Sequence, residues 1–477
     1  MIRPIGLVSL VAVLLSSCAA VPHDPPQVAQ VQPTTFGLSN ASTSIAADWW
    51  TAFKDPQLDT LVTMGLAANP SLDRALARVR MAQATLGVRR GDQLPQVTLD
   101  GQSTYQRFPD RSLYPPPFAG NAYPTTSVQA NLNWNLDLFG RQRALVAGAR
   151  ADVAAAALDA AAARLMVSTS IAQAYVGLAR ADQLIRVADS FVATRRQALG
   201  FVNSRIRNKL ASQFELRQAE TLLAEADQAR TRAVAQRELL VHAIAALVGR
   251  GADFYPQIAS PKLAFDAPPM VPAMLPADLL GRRPDLLAGQ ARIDSAAAGR
   301  KVARADFLPN VSIQALAGFA ALGLGSFFDL GARTYGAGPA IHVPIFEGGK
   351  LKAQYRGATA ALDEAVAAYD DAVLGAVRDS ADALTQVRAT DQDTLAQRRV
   401  VAGLRETVRL DQVRVSTGLG SQLDSIDAGF RLLEAEQALV GLQSDALTRR
   451  IQLIAALGGG FDSSSPPPAA ALADSAS

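Results

Sequence analysis

Residues able to do chemistry are sparse in this chain of 477 residues. Its three histidines, His23, His242 and His342, fall in a proline-rich segment, a helical stretch and a strand-like stretch, and no HExxH, nucleophile elbow, Walker loop or zinc spacing surrounds them. No catalytic, cofactor-binding or metal-ligating residue is therefore expected, and the chain does not read as an enzyme. Cys18 is the single cysteine, so no intrachain disulfide can form. Two serine–acid pairs, Ser212 with Glu215 and Ser421 with Asp424, have the spacing of a capping box that starts a helix. Asp427 follows one turn later, where capping does not explain it, and its counterpart in the first copy of an internal repeat is Gln218. The remaining acids and tyrosines fall on helical stretches and read as packing and solvated-face residues. Gly323, Gly325 and Gly331 lack the strand-loop-helix context of a phosphate cradle and read as an extracellular loop.

Cys18 ends the run Leu15-Ser16-Ser17-Cys18, which follows Arg3 and an apolar stretch from Ile5 to Leu15. A basic start, a short apolar core and small residues before a break describe an export signal over 1–17, too short to span a membrane. Its ending resembles a bacterial lipobox, which implies that Cys18 is lipidated and becomes the new N-terminus. An ordinary secretory signal with a chance cysteine is the alternative. Ala19 stands where, by the same resemblance, an aspartate would favour inner-membrane retention, so the outer membrane and its lipids are the expected destination. Residues 18–48, rich in Pro, Gln, Ser and Thr, read as a tether.

The formal charge is +3, or +2 once Arg3 leaves with the signal. Both signs are interspersed throughout, and nothing reads as a nucleic-acid surface. Alanine-rich helical pattern points to an elongated coiled-coil body. No apolar run after the signal approaches a spanning helix, so passage through a membrane would have to use strands.

One such strand is Val128–Arg141. Val128, Ala130, Leu132, Trp134, Leu136 and Leu138 alternate with Gln129, Asn131, Asn133, Asn135 and Asp137, giving one apolar and one wet face. About ten residues suit a tilted membrane strand, with Trp134 and Phe139 near an interface. The stretch is one of four. Asn69-Pro70 to Val97 repeats as Arg283-Pro284 to Val311 at a constant offset of 214, with Pro70, Leu72, Ala77, Arg78, Ala82, Arg90, Asp92, Leu94, Pro95 and Val97 recurring. Each copy predicts a helix between its two prolines, then a strand, at Val97–Tyr105 and Val311–Phe319. Loops over Phe108–Pro124 and Ala320–Arg333 lead to the return strands Val128–Leu138 and Thr334–Phe346. Leu138-Phe139-Gly140-Arg141 is echoed by Ile345-Phe346-Glu347-Gly348-Gly349-Lys350, a strand-to-helix corner that glycine permits.

Four strands in lipid would leave two unpaired edges, each unsatisfied backbone group costing several kcal/mol, so a barrel must close between chains. Two, three or four copies satisfy that argument. Beyond the strands lie heptad seams, Ile171, Leu178, Ile185, Val192, Leu199 and Ile206 in one half, and Val366, Val373, Val387, Val401, Val408 and Val415, interrupted by Ser380 and Thr394, in the other. A helix from about Arg141 to Asn208 is roughly 100 Å long at 1.5 Å per residue. The two long helices turn at matching tips, Leu210–Glu215 and Leu419–Asp424, offset by 209, with Gly418 suited to a left-handed turn and Asn208-Lys209 in its place in the first copy.

Trp49-Trp50, Asp55-Pro56, Leu58-x-x-Leu61 and Asn69-Pro70 together resemble the start of TolC-like outer-membrane efflux proteins, particularly the lipoprotein branch that works with RND pumps. Arg282-Arg283-Pro284-Asp285 resembles another signature of that family, which usually continues with Ala-Glu where Gly289-Gln290 stands here. The family also usually has glycine at the position of Lys209. The resemblance implies a mainly α fold with β, in which a long α-helical coiled-coil barrel is continuous with a membrane β-barrel of four strands per chain and twelve in a homotrimer. In that frame residues 49–96 are the leading helices of the first repeat, 97–138 its membrane hairpin and 139–251 its long periplasmic helices. Residues 252–283 form an equatorial linker; 284–310, 311–346 and 347–457 repeat the three parts; and 458–477 is a disordered tail. Leu132, Trp134 and Leu136 would mark the membrane strand. The family's paired gate acids correspond to Asp424 and Asp427, with Glu215 the first-copy acid, and Ser212, Gly418 and Ser421 mark tips that would meet a periplasmic adaptor. The implied function is a passive exit duct for small molecules such as drugs, fed by an inner-membrane pump of RND type through that adaptor. A duct for secreted proteins, or a structural coiled-coil lipoprotein of the envelope, are the other readings; four amphipathic strands have no use in the last.

Overall fold

The structure is a computed structural model that describes residues 21–30, 45–111, 115–265, 282–323 and 325–461. The stretch expected as an export signal, Cys18 with its expected lipidation, and all but the first residues of the 458–477 tail lie outside them.

The sequence repeat is also a repeat of elements. Helix α1 spans Pro56–Ala68, and α2, Pro70–Gly91, leads into strand β1, Gln96–Arg107. Strand β2, Ala122–Asn135, leads into α3, Arg141–Arg207, which returns as α4, Gln213–Leu247. The second copy gives α5, Pro284–Ala305; β3, Asn310–Leu322; β4, Arg333–His342; α6, Lys350–Ser416; and α7, Gln422–Ala456. Both long helices have 67 residues and both returning helices 35. Punctuation sets these limits: Pro56 opens α1 behind Asp55, whose side chain accepts from Gln57 N, and Pro70 and Pro284 each stand first in a helix, where a missing N–H costs nothing.

Two compact units emerge. The first holds residues up to 30 together with 79–156 and 288–370. It contains the whole sheet, an antiparallel meander in the order β1-β2-β3-β4. Small clusters, Leu86 with Val146 and Ala149, and Phe307 with Tyr355 and Ala303, pack its helical parts. The segment 21–30, expected as tether, lies against this unit: Asp363 Oδ1 accepts from the backbone N–H of Gln27 and Val28, at 2.9 and 3.1 Å, and Arg300 donates to Asp24 O. Gln290, at the departure from the family signature, accepts 2.7 Å from Gln30 Nε2.

The second unit holds 31–78, 157–287 and 371 onward. Its core gathers Trp49, Trp50, Phe53, Leu58 and Val62 with Ile171, Tyr175, Leu178, Ile244, Leu447 and Ile451. The heptad seam is buried at Ile171, Leu178 and Val192, and at Val373, Val387 and Val401. The two polar interruptions are buried as well and satisfied by their own helix, Ser380 Oγ donating to Ala376 O and Thr394 Oγ1 to Thr390 O, both at 2.7 Å. The linker begins with a 3-10 turn, Ala252–Gln257, and its residues 266–281 lie outside the described ones.

Several boundaries differ from expectation. Strand β2 starts six residues before Val128 and stops at Asn135, so Leu136 lies just past it, although Leu136 N still donates to Val311 O at 3.0 Å. Asp137, at φ +47°, turns the chain out of extended conformation and ends the ladder. Strand β4 stops at His342, before Pro344, rather than at Phe346. The expectation that no stretch approaches a spanning helix is also corrected: by length and composition α3 holds an 18-residue window of mean hydropathy 1.2, 39% buried, in which alanine supplies apolarity without bulk.

Candidate functional site

The sheet separates its residues by face. Register places Leu99 opposite Ala130 and Ala130 opposite Ala317, which faces Tyr335. One face therefore carries Val97, Leu99 and Tyr105; Val128, Ala130, Leu132 and Trp134; Val311, Ile313, Ala315, Ala317 and Phe319; and Ile341, Pro339, Ala337 and Tyr335. Its hydroxyl pair satisfies itself, Ser103 Oγ lying 3.0 Å from Thr126 Oγ1. The other face carries Thr98, Asp100, Gln102, Gln129, Asn131, Asn133, Ser312 and Gln314, tied across strands by Asn131 Nδ2 donating to Asp100 Oδ2 at 2.9 Å. One side of the sheet is thus mainly apolar, whereas the other is polar on β1, β2 and the start of β3 and carries mostly small residues and Leu316 over the rest of β3 and β4. The apolar face of β1 and β4 is freely exposed, with Leu99 at 73% and Tyr335 at 83%, and among the described residues neither edge strand has a partner on its outer side.

At the lower end of β2 the wall is pinned to helices of its own unit. Trp134 Nε1 donates to Gln93 O at 3.0 Å, just beyond α2. Asp137, counted among the polar strand positions in the sequence, instead accepts from Gln142 N and Arg143 N at 2.8 and 3.0 Å, placing a carboxylate on the open N–H groups of α3. Gly140, at φ +80°, makes the corner between them. Arg141 then pairs with Asp306 at 2.6 Å, and a cleft of about 350 Å³ opens beside the pair, lined in part by His342, Glu347 and Lys350. Sequence spacing does not reveal this role of Asp137, because it depends on a left-handed residue.

The tips of the second unit repeat one geometry with one substitution. Lys209 N donates to Ile206 O and Leu210 N to Arg205 O; Gly418 N donates to Val415 O and Leu419 N to Arg414 O. Both are Schellman turns, which need a left-handed residue, and Lys209 adopts φ +59° where Gly418 has φ +73°. Ser212 and Glu215 form the expected capping box, with Ser212 N donating to Glu215 Oε2 at 2.7 Å and Glu215 N reaching Ser212 Oγ at 3.5 Å. These backbone and side-chain donors from Ser212, with Arg205 beyond, hold the Glu215 carboxyl below its ordinary range. The second box is not formed. Ser421 Oγ accepts from Leu423 N at 3.1 Å, and Asp424, one methylene shorter than glutamate, makes no return bond to Ser421 N.

Asp424 and Asp427 are both exposed in the single chain. Asp427 has a countercharge that no sequence spacing suggests: Arg195, whose guanidinium carbon sits 3.4 Å from the centroid of the Phe430 ring. Burial draws the Arg195 pKa down, and Asp427, Glu225 and Glu434 oppose that shift. Phe191 stacks on Phe430 at 6.2 Å, which fixes the platform. Among the described residues no cluster of His, Cys, Asp and Glu could hold a metal ion.

A sequence model of outer membrane efflux proteins matches residues 61–250 and 275–459. The solvent efflux pump outer membrane protein SrpC of Pseudomonas putida is 32% identical over 464 residues, covering 94% of this chain and 96% of its own. The fusaric acid resistance protein FusA of Burkholderia cepacia is 32% identical over 366 residues, covering 74% of this chain and 68% of its own. Among solved structures, the outer membrane protein VceC of Vibrio cholerae superposes with a TM-score of 0.80 at 31% identity, over 87% of this chain and 100% of that one. The Campylobacter jejuni CmeC outer membrane channel shares the fold, with a TM-score of 0.84 at 20% identity over 96% of this chain and 98% of that one.

Proposed function

The chain belongs to the outer membrane efflux protein family, and from that premise we propose that three copies join their sheets into a twelve-stranded wall and form the exit duct of a tripartite pump. The sheet carries the proposal: it is sorted into an apolar and an aqueous face, and its two outer strands have unspent hydrogen-bonding edges. In hydrocarbon such edges must pair, and a neighbouring copy offers β1 to β4. A periplasmic adaptor docks at the tips around Ser212, Gly418 and Ser421, and an RND-type pump of the inner membrane supplies the energy. The cargo is small molecules such as drugs, in line with SrpC, an outer membrane protein of a solvent efflux pump, and FusA, a fusaric acid resistance protein. Cys18, acylated, assists targeting, whereas the wall itself holds the protein in the outer membrane. Asp424 and Asp427 stack carboxylates at the closed periplasmic entrance, with Glu215 beside them.

Native mass measurement on detergent-extracted protein tests the assembly; three copies support it and a stable monomer overturns it. Restored solvent or drug tolerance in a strain lacking its own outer-membrane efflux component tests the activity. Fatty-acid labelling that vanishes in Cys18→Ser supports the anchor, and labelling that persists removes it.

A further inference from the structure

The two hairpin loops of the sheet fold onto opposite faces of it. Phe319 belongs to the apolar face by register, and the turn that follows β3 packs on it: the rings of Phe327 and Phe328 lie 6.1 and 6.4 Å from that of Phe319 and 4.9 Å from each other, edge to face. Phe327 is sealed against this cluster at 6% exposure, whereas Phe328 and Leu330 stand out at 83% and 73%. The other loop does the reverse. Phe118 packs 5.5 Å from Tyr123, which register places on the aqueous face, and Tyr123 donates its hydroxyl hydrogen to Pro117 O at 3.2 Å.

We propose that the β3–β4 turn is a membrane anchor in its own right, with Phe328 and Leu330 inserted among the acyl chains of the leaflet beside the wall. This rests on the reading of the sheet as a membrane wall. Lipid is the occupant because the patch is continuous with the apolar face through Phe319, so any other partner would have to displace lipid from that same face. Arg333 supports the placement. It ends the apolar row of β4, opposite Phe319, and its Nε donates to Leu330 O at 2.7 Å. An arginine at the margin of an apolar face lays its stem on hydrocarbon and its guanidinium among phosphate headgroups, while aromatic rings favour that same boundary. The loop that carries Phe118 is left to line the aqueous mouth.

Full-length protein reconstituted in phosphatidylcholine–phosphatidylglycerol vesicles tests this, with nitroxides at Phe328→Cys, Leu330→Cys, Leu132→Cys and Tyr123→Cys, each in a Cys18→Ser background. Collision with dissolved oxygen exceeding collision with an aqueous nickel chelate several-fold at 328 and 330, as at 132, with the opposite ratio at 123, is the expected result. An aqueous ratio at both 328 and 330 with a lipid ratio at 132 overturns the anchor and leaves the wall intact. An aqueous ratio at 132 overturns the wall, and the anchor with it.

Discussion

Tyr175 donates its hydroxyl hydrogen to Asp55 Oδ2 at 2.8 Å, between side chains shut away from water and 120 positions apart in the chain. The same carboxylate accepts from Lys262 N at 2.8 Å and, through its other oxygen, from Gln57 N at 3.0 Å. One buried acid thus ties the start of α1, the middle of α3 and the segment after the 3-10 turn. Tyr175→Phe removes one donor to a buried carboxylate and strips Gln57 Nε2 of an acceptor, which should lower stability by about 1–3 kcal/mol. The apparent melting temperature in detergent measures this, and faster proteolysis near Lys262 should accompany it.

Burial first, then the Asp55 hydrogen bond, raises the Tyr175 pKa well above its ordinary 10.0. A raised folded-state value means that the unfolded chain loses its proton first. The contribution of this tyrosine is therefore complete below pH 10 and declines as pH climbs above it. Melting temperature followed from pH 8 to 11 should bend downward near 10, and Tyr175→Phe should flatten that part of the bend.

Lys209 spends conformational energy that Gly418 does not. Lys209→Gly should stabilise the first tip by about 1 kcal/mol, because a side chain in left-handed conformation costs roughly that much. Slower amide exchange at Leu210 and Leu216 is the readout. Glu215→Ala should speed the same exchange. The wild-type contribution of Glu215, whose carboxyl pKa lies below its ordinary 4.5, holds above that value and is lost as pH falls through the lowered one.

Leu132 and Asn133 are neighbours on opposite faces of β2. Leu132→Arg should block insertion, at roughly 2–4 kcal/mol per chain for a mid-bilayer arginine facing lipid, whereas Asn133→Arg should insert normally. Assembled protein on semi-native gels of isolated outer membranes separates the two.

Asp427→Asn should reduce cation selectivity and block by divalent ions in planar bilayers, since clustered carboxylates concentrate cations. Asp424→Asn should add a smaller change. Unchanged selectivity in the double variant, with assembly intact, would take both acids out of the conduction path. Arg195→Gln should move the effect of Asp427 the other way by removing its countercharge.

Helix limits were legible because their causes are local. Pro56, Pro70, Pro284, Ser212 and Gly418 act through their own backbone chemistry, and the first long helix ends within a residue of the expected Asn208. The start of β2 was not legible, because Tyr123-Pro124-Thr125-Thr126-Ser127 does not alternate and contains a proline. Pro124 stands one residue beyond the last β2–β3 pair, Thr125 with Leu322, where its carbonyl still accepts from Gly323 N at 2.7 Å and only the final N–H of the ladder is forgone. The acid at position 424 is one methylene too short for the box that its spacing suggests, and the Tyr175–Asp55 hydrogen bond and the Arg195–Phe430 contact near Asp427 are made only when distant segments meet.

The equal lengths of α3 and α6, and of α4 and α7, constrain how this chain can change in evolution. Deleting one residue from an α-helix rotates everything beyond it by about 100° and retracts it by 1.5 Å, so a lone deletion in α3 would re-aim the Lys209 turn while the Gly418 turn stayed put. Deleting seven leaves a rotation of only about 20°. Changes of length in this chain are therefore expected in steps of about seven residues, made in both copies together.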